Sequence, residues 1–490
     1  MTAPASTLSP GAPAATPPSF DTGAKLARMK AAQRREGTPD AATRVARLER
    51  LDAALLRRKE ALTAAVSRDF GQRAAVETLA GEIFAVHSAI GHAKTHVREW
   101  MEPEDRDVSW VFFPSRAEVV PQPLGVVGII APWNYPIQLA LSPLVGAIAA
   151  GNRAMIKPSE YVPETVAALG DLLVEAFGAD GADGSDQVCL VPGGPEVGEA
   201  FSRLPFDHLL FTGSTRVGRL VMRAASENLV PVTLELGGKS PVIVAPDFPM
   251  RAAADLVASG KLFNAGQTCV APDYALVPKG AADAFVEAYR ASIARMYPTL
   301  RDNPDYTSII DDKELARLKS YVEDAKARGA RIIEVNPAGE SFEGTRKMAP
   351  ALVLGGTGEM LLEREEIFGP ILPIATYESL DEAIAYVNDR PRPLALYCLS
   401  HDGEFVDAVL AGTVSGGVAV NETLIHLLQD DLPFGGVGPS GMGQYHGREG
   451  FDTFSMRKPI YRQSRAGVRG LLRPPYGKTA SAILRLLVGN

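Results

Sequence analysis

A thiol and a carboxylate are the residues of this chain best placed to do chemistry. Cys269 follows Phe263-Asn-Ala-Gly-Gln-Thr268. A cysteine is by default a small buried hydrophobe. Here Gly266, Gln267 and Thr268 make a polar turn between a helical and an extended stretch, where a side chain can face a cleft. Only the thiolate is nucleophilic, so such a site must lower the thiol's pKa or deliver a base. Glu235 stands 34 positions earlier, in Thr233-Leu-Glu-Leu-Gly-Gly-Lys239. A carboxylate between leucines at a strand end is either a paired core residue or a base whose pKa burial raises toward neutrality. Both readings stay open on residue types alone. Cys189 and Cys398 lie in apolar, strand-like contexts and read as structural.

Other groups carry weaker signals. Phe211-Thr-Gly-Ser-Thr-Arg-Val-Gly218 joins an extended run to a helical one, placing Gly213 and Ser214 at a helix N-terminus, where free N–H groups stabilise a pyrophosphate. The G-x-G-x-x-G dinucleotide fingerprint is absent after the first strand. His92 and His96 share a helix face at a spacing that metal sites use, but without a helper motif they read as a polar face, and no metal is expected.

The elements that must position these residues follow from periodicity. Leu48, Leu51, Leu55 and Leu62 place a helix over 41–66, and a second runs over 76–100. The stretch 108–120, with Trp110, Phe112 and Phe113, reads as extended, either a core strand or an edge strand that pairs with another subunit. From Gly125 short apolar strands alternate with helices (139–150, 163–177, 197–204, 215–225), and a second such series begins near Leu236. That alternation predicts parallel sheets covered by helices, an α/β fold. A chain of 490 residues exceeds what one core serves. Two or three domains are expected, after a disordered leader over 1–22.

The net charge of −8 argues against nucleic acid as a partner. Three cysteines without a C-x-x-C pair fit a reducing cytoplasm rather than a disulfide scaffold. No run approaches the ~20 apolar residues that span a bilayer.

Five segments together resemble the signatures of the aldehyde dehydrogenase superfamily, in that family's order. They are Pro132-Trp-Asn-Tyr-Pro136, Leu234-Glu-Leu-Gly-Gly-Lys239, Gly266-Gln-Thr-Cys269, Glu365-Glu-Ile-Phe-Gly-Pro370 and Pro433-Phe-Gly-Gly436. Gly441-Met-Gly-Gln-Tyr-His-Gly447 and Phe451-Asp-Thr-Phe-Ser455 resemble the class 3 branch. The segment Gln429-Asp-Asp-Leu-Pro-Phe-Gly-Gly436 with Arg473-Pro-Pro-Tyr476 is similar to bacterial coniferyl aldehyde dehydrogenases.

The resemblance implies two Rossmann-like domains, a nucleotide-binding one over 23–108 and 128–234 and a catalytic one over 235–430, with a small β oligomerisation arm over 109–127 and 431–465 and a tail over 466–490. It also implies a homodimer, and oxidation of an aldehyde to its acid with NAD (NADP possible). Cys269 would attack the aldehyde, Asn134 and the Cys269 N–H would hold the oxyanion, and Glu235 would activate the water that releases the acid. Trp133, Lys157, Glu160, Gly213, Ser214, Glu366 and Phe368 would contact the cofactor. A carboxylate at Glu160 accepts from ribose hydroxyls and repels a 2′-phosphate, which favours NAD. Tyr135, Leu424, Ile425 and His426 are expected as walls of an apolar substrate funnel, with the tail over its entrance. An aromatic or a medium- to long-chain aliphatic aldehyde fits such walls. The competing readings are a cofactor-independent thiol esterase and a catalytically silent binding or structural homologue.

Overall fold

The computed structural model describes residues 21–178, 186–465 and 473–488. Asp21 caps the first helix, Thr22–Glu36, by accepting from the Ala24 N–H; residues 1–20 of the expected leader lie outside the described residues. The long helix Ala41–Phe70 is capped by Asp40 and buries the leucine stripe. It packs on the helix Pro163–Phe177, which covers the first sheet.

That sheet has six strands in the order Gly441–Met442, Val232–Leu236, His208–Gly213, Val126–Ile130, Arg153–Lys157, Val188–Leu190. All pairings are parallel except the first, where Gly441 faces Glu235 and Met442 faces Leu234. Strands buried on both faces read as continuous apolar runs, as Val126–Ile130 does. The second sheet has seven strands, ordered Arg331–Glu334, Ala351–Leu354, Ile371–Tyr377, Tyr274–Pro278, Pro241–Val244, Ala395–Leu399, Gly417–Val420. It too is parallel apart from its first strand. This is the α/β architecture expected, two helix-covered, largely parallel sheets. A third, antiparallel sheet joins Glu104–Arg106, Arg116–Pro123 and Ser455–Arg462.

Three local readings change. Trp110–Phe112 is a single 3-10 turn, not part of a strand, and Trp110 and Phe113 are 75% and 76% exposed. Their closeness reflects a surface turn rather than a pleat. The helical stretch Ala75–Trp100 contains a π-helical turn, Leu79–Phe84, that apolar periodicity does not mark. The tail forms a helix, Lys478–Val488, whose leucines remain largely uncovered.

Candidate active site

The two parallel sheets deliver their strand ends to one place. The helix Met250–Leu262 stops, and the chain turns through three successive left-handed residues, Asn264 (φ 54°), Ala265 (φ 52°) and Gly266 (φ 77°). A Cβ on Gly266 would collide with the Gly369 carbonyl oxygen, so this position needs glycine for both conformation and space. The buried Gln267 side chain then pins the turn. Its amide donates to the Asn264 carbonyl (2.9 Å) and the Ser308 carbonyl (3.0 Å), and its oxygen accepts from the Ile310 N–H (2.9 Å). Cys269 follows at the edge of a cavity.

Burial pushes the Cys269 thiol up to about 12, and the Glu366 and Glu235 carboxylates add to the shift; the N–H groups of Cys269 and Val270 oppose it. A protonated resting thiol is thus expected, and catalysis needs a base nearby. Glu235 lies on the strand Val232–Leu236, 3% exposed. Neither carboxylate oxygen has a hydrogen-bond partner among the described residues. It is therefore no paired core residue, and burial alone raises its pKa well above the usual range. Its cross-strand neighbour Thr212 also buries an unpartnered hydroxyl.

Asn134 comes from the turn after the strand Val126–Ile130. One of its amide hydrogens goes to the Gln267 carbonyl (3.2 Å), which ties it to the cysteine loop and leaves the second N–H for a ligand. Tyr135 makes a second tie, its hydroxyl 2.6 Å from Thr268 Oγ1.

Glu366 is pushed up to about 8, first by burial and then by Asp273, against the Gly238 N–H. The loop that carries it is locked by Lys239. That ammonium binds the Asp273 carboxylate and the carbonyls of Leu362 (2.7 Å) and Glu365 (3.1 Å), while Asp273 accepts from the Ile367 N–H (2.9 Å). Phe368, at φ 52°, meets Trp133 edge-on, with ring centroids 5.4 Å apart. Lys157 and Glu160 pair at 2.9 Å beyond the strand Arg153–Lys157. Gly213 ends the strand His208–Gly213, and Ser214 caps the helix Thr215–Ser226.

The cavity beside Cys269 has a volume of about 350 Å3 and walls that include Tyr135, Leu139, Phe263, Leu424, Ile425, Leu427 and Phe434. No lysine or arginine is among its described lining residues, and its single carboxylate is Glu422. A volume near the lower end of the ~300–1,000 Å3 range suits a small, largely apolar ligand.

A thiol in an apolar cavity, an unpaired carboxyl and a tethered amide coincide with a match of the aldehyde dehydrogenase family model to residues 11–460. The chain belongs to the aldehyde dehydrogenase family. Its reaction class is the oxidation of aldehydes. The coniferyl aldehyde dehydrogenase of a Pseudomonas species is 49% identical over 471 residues, which is 96% of each chain. A probable coniferyl aldehyde dehydrogenase of Pseudomonas aeruginosa is 50% identical over 461 residues, 94% of this chain and 95% of that one. Among solved structures, the substrate-bound state of Staphylococcus aureus AldH matches with a TM-score of 0.88 at 40% identity, over 95% of this chain and 99% of that one. The NAD-dependent aldehyde dehydrogenase from Sinorhizobium meliloti matches with a TM-score of 0.81 at 29% identity, over 90% and 87%.

One expected wall of this aldehyde dehydrogenase is misplaced. His426 does not line the cavity, because the turn Ile425–Leu428 points its ring at Tyr397 (5.8 Å, T-shaped). His446, stacked on Phe434 at 5.1 Å, and the buried Tyr445 line it instead. Nor does any residue of the Lys478–Val488 helix line it, so among the described residues of one chain this helix is not its cover. Residue types also missed the buried Arg73, Glu82 and Asn264, which brace the Asn134 turn. Arg73 and Glu82 look like ordinary surface charges in sequence. Asn264 offered one usable signal, because Asn-Ala-Gly after a helix invites left-handed backbone.

Proposed function

We propose that this chain oxidises an apolar aldehyde, foremost an aromatic one of the coniferyl type and secondarily a medium- to long-chain aliphatic one, to the carboxylic acid with NAD as acceptor. The observation that carries the reading is Cys269 at the edge of a cavity of about 350 Å3 with largely apolar walls and no lysine or arginine among its described lining residues. Such walls favour a ring or an alkyl chain and offer nothing to a substrate carboxylate.

The protein's share of the chemistry runs as follows. The Cys269 thiol passes its proton to water, and Glu235, with both oxygens free of partners, is kept for the hydrolytic step. The sulfur adds to the aldehyde carbon, and the new oxyanion accepts from the free amide N–H of Asn134 and from the Cys269 N–H. Preorganised donors of this kind contribute most of the rate, and losing one costs ~10²–10³-fold in kcat. NAD, when bound, supplies the hydride acceptor, and loss of hydride leaves a thioester on Cys269. Glu235 then takes a proton from water as its oxygen attacks the thioester, releasing the acid and restoring the thiol. A base with a raised pKa is the efficient kind near neutral pH.

The cofactor residues fit that partner. Gly237 has no side chain because Glu366 occupies the space a Cβ would need. The N-terminus of the 12-residue helix Thr215–Ser226 offers N–H groups to a pyrophosphate behind Gly213 and Ser214. Lys157 and Glu160 would hold the adenosine ribose, and Glu366, Phe368 and Trp133 the nicotinamide end.

The remaining organisation is proposed on the same footing: a nucleotide-binding domain (23–108 and 128–234), a catalytic domain (235–430), a bridging arm (109–127 and 431–465), a tail (466–490) and a cytoplasmic homodimer. Exposed Trp110 and Phe113 next to the three-stranded sheet support an interface there. Three cysteines with no C-x-x-C pair fit a reducing compartment. Among the described residues no helix is long and apolar enough to cross a membrane.

The test is NADH formation with coniferaldehyde, benzaldehyde, hexanal and decanal, compared as kcat/KM. The reading expects coniferaldehyde to lead and Cys269→Ala to abolish turnover with all four. Activity that persists in Cys269→Ala, or ester hydrolysis without any NAD-dependent oxidation, would overturn it.

A further inference from the structure

The Asn134 turn, whose side-chain amide is tied to the cysteine loop at the Gln267 carbonyl, is held from behind by a buried ion pair. Arg73 follows the helix Ala41–Phe70, and its side chain and that of Glu82 are both wholly removed from solvent. The guanidinium Nη1 donates to Glu82 (3.1 Å) and to the backbone carbonyl of Asn134 (2.8 Å). It lies over the Tyr135 ring at 4.7 Å and the Phe70 ring at 5.2 Å. The other oxygen of Glu82 accepts from the N–H groups of Ile137 (2.7 Å) and Gln138 (3.2 Å), the start of the buried helix Gln138–Ala150. Asn264 donates to the same Asn134 carbonyl (3.2 Å) and to the Gln267 carbonyl (3.1 Å). The Asn134 turn is thus gripped at its carbonyl from two sides and at its helix end by a third group.

Stability does not account for this pair. Arg73 Nε and Nη2 have no hydrogen-bond partner, and a buried ion pair is often no better than well-packed apolar residues of the same volume. What the pair does secure is geometry. An oxyanion donor must sit within hydrogen-bond distance of where charge develops, and its direction follows from its own backbone.

We propose that Arg73, held by Glu82, is a positioning residue that fixes the Asn134 backbone and so aims the Asn134 amide at the oxyanion formed on Cys269. This rests on the reading of Asn134 as oxyanion donor given above. Arg73 touches neither substrate nor sulfur. It acts through Asn134, and that makes a double-mutant cycle decisive.

The experiment compares Arg73→Lys, which keeps a cation but is shorter and loses the planar group that lies over Tyr135 and Phe70 and carries Nη1 to both acceptors, with Arg73→Met. Both are made in the wild-type and the Asn134→Ala backgrounds. Rates are referred to titrated Cys269 thiol, and thermal unfolding is followed beside them, because Arg73→Met leaves Glu82 buried without its counter-charge. The expected result for Arg73→Lys is a fall in kcat of roughly ten-fold, inside the ~10²–10³-fold ceiling for losing the donor outright. KM for aldehyde and for NAD should stay unchanged. In the Asn134→Ala background neither Arg73 variant should slow turnover further. An unchanged kcat in Arg73→Lys, or the same loss factor in both backgrounds, would overturn the proposal while leaving the oxyanion assignment intact. A normal kcat in Asn134→Ala alone would instead bring down that assignment, and this proposal with it.

Discussion

Gly237→Ala separates the cofactor grip from the fold. The residue follows the strand Val232–Leu236, and its φ is not in the left-handed region, so alanine costs the backbone little. The cost is local. A Cβ there would lie 2.5 Å from the carboxyl carbon of Glu366, with both its oxygens nearer still. Two carbons need ~3.5–4.0 Å, so the Glu366 head must retreat by about 1 Å or more. That side chain ends in a movable carboxylate, and the retreat leaves the Lys239–Asp273 lock in place. At a pH above about 8, where Glu366 is ionised, a charge-assisted hydrogen bond to the nicotinamide ribose, worth ~1.5–3 kcal/mol, is what the retreat removes. At ~1.4 kcal/mol per decade the expected rise in Kd for NAD is roughly 10- to 100-fold. Isothermal titration with NAD and initial rates over a range of NAD at saturating aldehyde would measure it, with thermal unfolding as the control. A Kd unchanged from wild type would refute the role given to Glu366. Gly266→Ala is the contrasting case. There the new methyl meets the Gly369 carbonyl, a backbone atom that cannot swing away, and φ is +77°. Left-handed strain of ~1–2 kcal/mol and overpacking of ~1–3 kcal/mol should lower the unfolding temperature and the activity together.

Two further outcomes follow from the charges. Glu235 has its pKa raised in the folded state above its ordinary 4.5, so its contribution to stability is complete below that pH and is lost as pH rises through the folded value. Melting temperatures of Glu235→Gln and wild type should therefore diverge from pH 4.5 upward in favour of the variant, and a constant difference across pH would contradict unpaired burial. Glu160→Gln frees Lys157 from its 2.9 Å partner and removes a negative charge from the expected ribose site. The ratio of kcat/KM for NADP to that for NAD should rise, and an unchanged ratio would remove Glu160 from the 2′ position.

The repeating strand–helix alternation was legible because buried parallel strands are short apolar runs with glycine or proline turns between them. The helix Pro163–Phe177 matches its expected limits. The candidate thiol and carboxyl were legible as reactive types in unusual surroundings, and the structure removes the paired-core alternative for Glu235. What composition could not show is partnership across the chain. Arg73 meets Asn134 over 61 positions, and Lys239 reaches Leu362 over 123. A buried cation and a solvated one look alike until the partner is known. The Trp110–Phe113 stretch failed for another reason, since aromatic β-propensity reports a fit to a half-buried pleat and these rings lie on a surface turn. His426 failed because a 3-10 turn rotates successive side chains by a third of a circle, which sends it away from the cavity that Ile425 and Leu427 line.

The central claim is that Cys269 carries the acyl group and Glu235 is needed to release it. Glu235→Gln keeps the shape of the site and withdraws the base. Mixed rapidly with NAD and coniferaldehyde, followed by NADH absorbance and by mass spectrometry of the peptide bearing Cys269, it should release NADH in one burst and stall. The peptide should then carry the acyl group. Sustained turnover with no adduct on Cys269 would contradict the account.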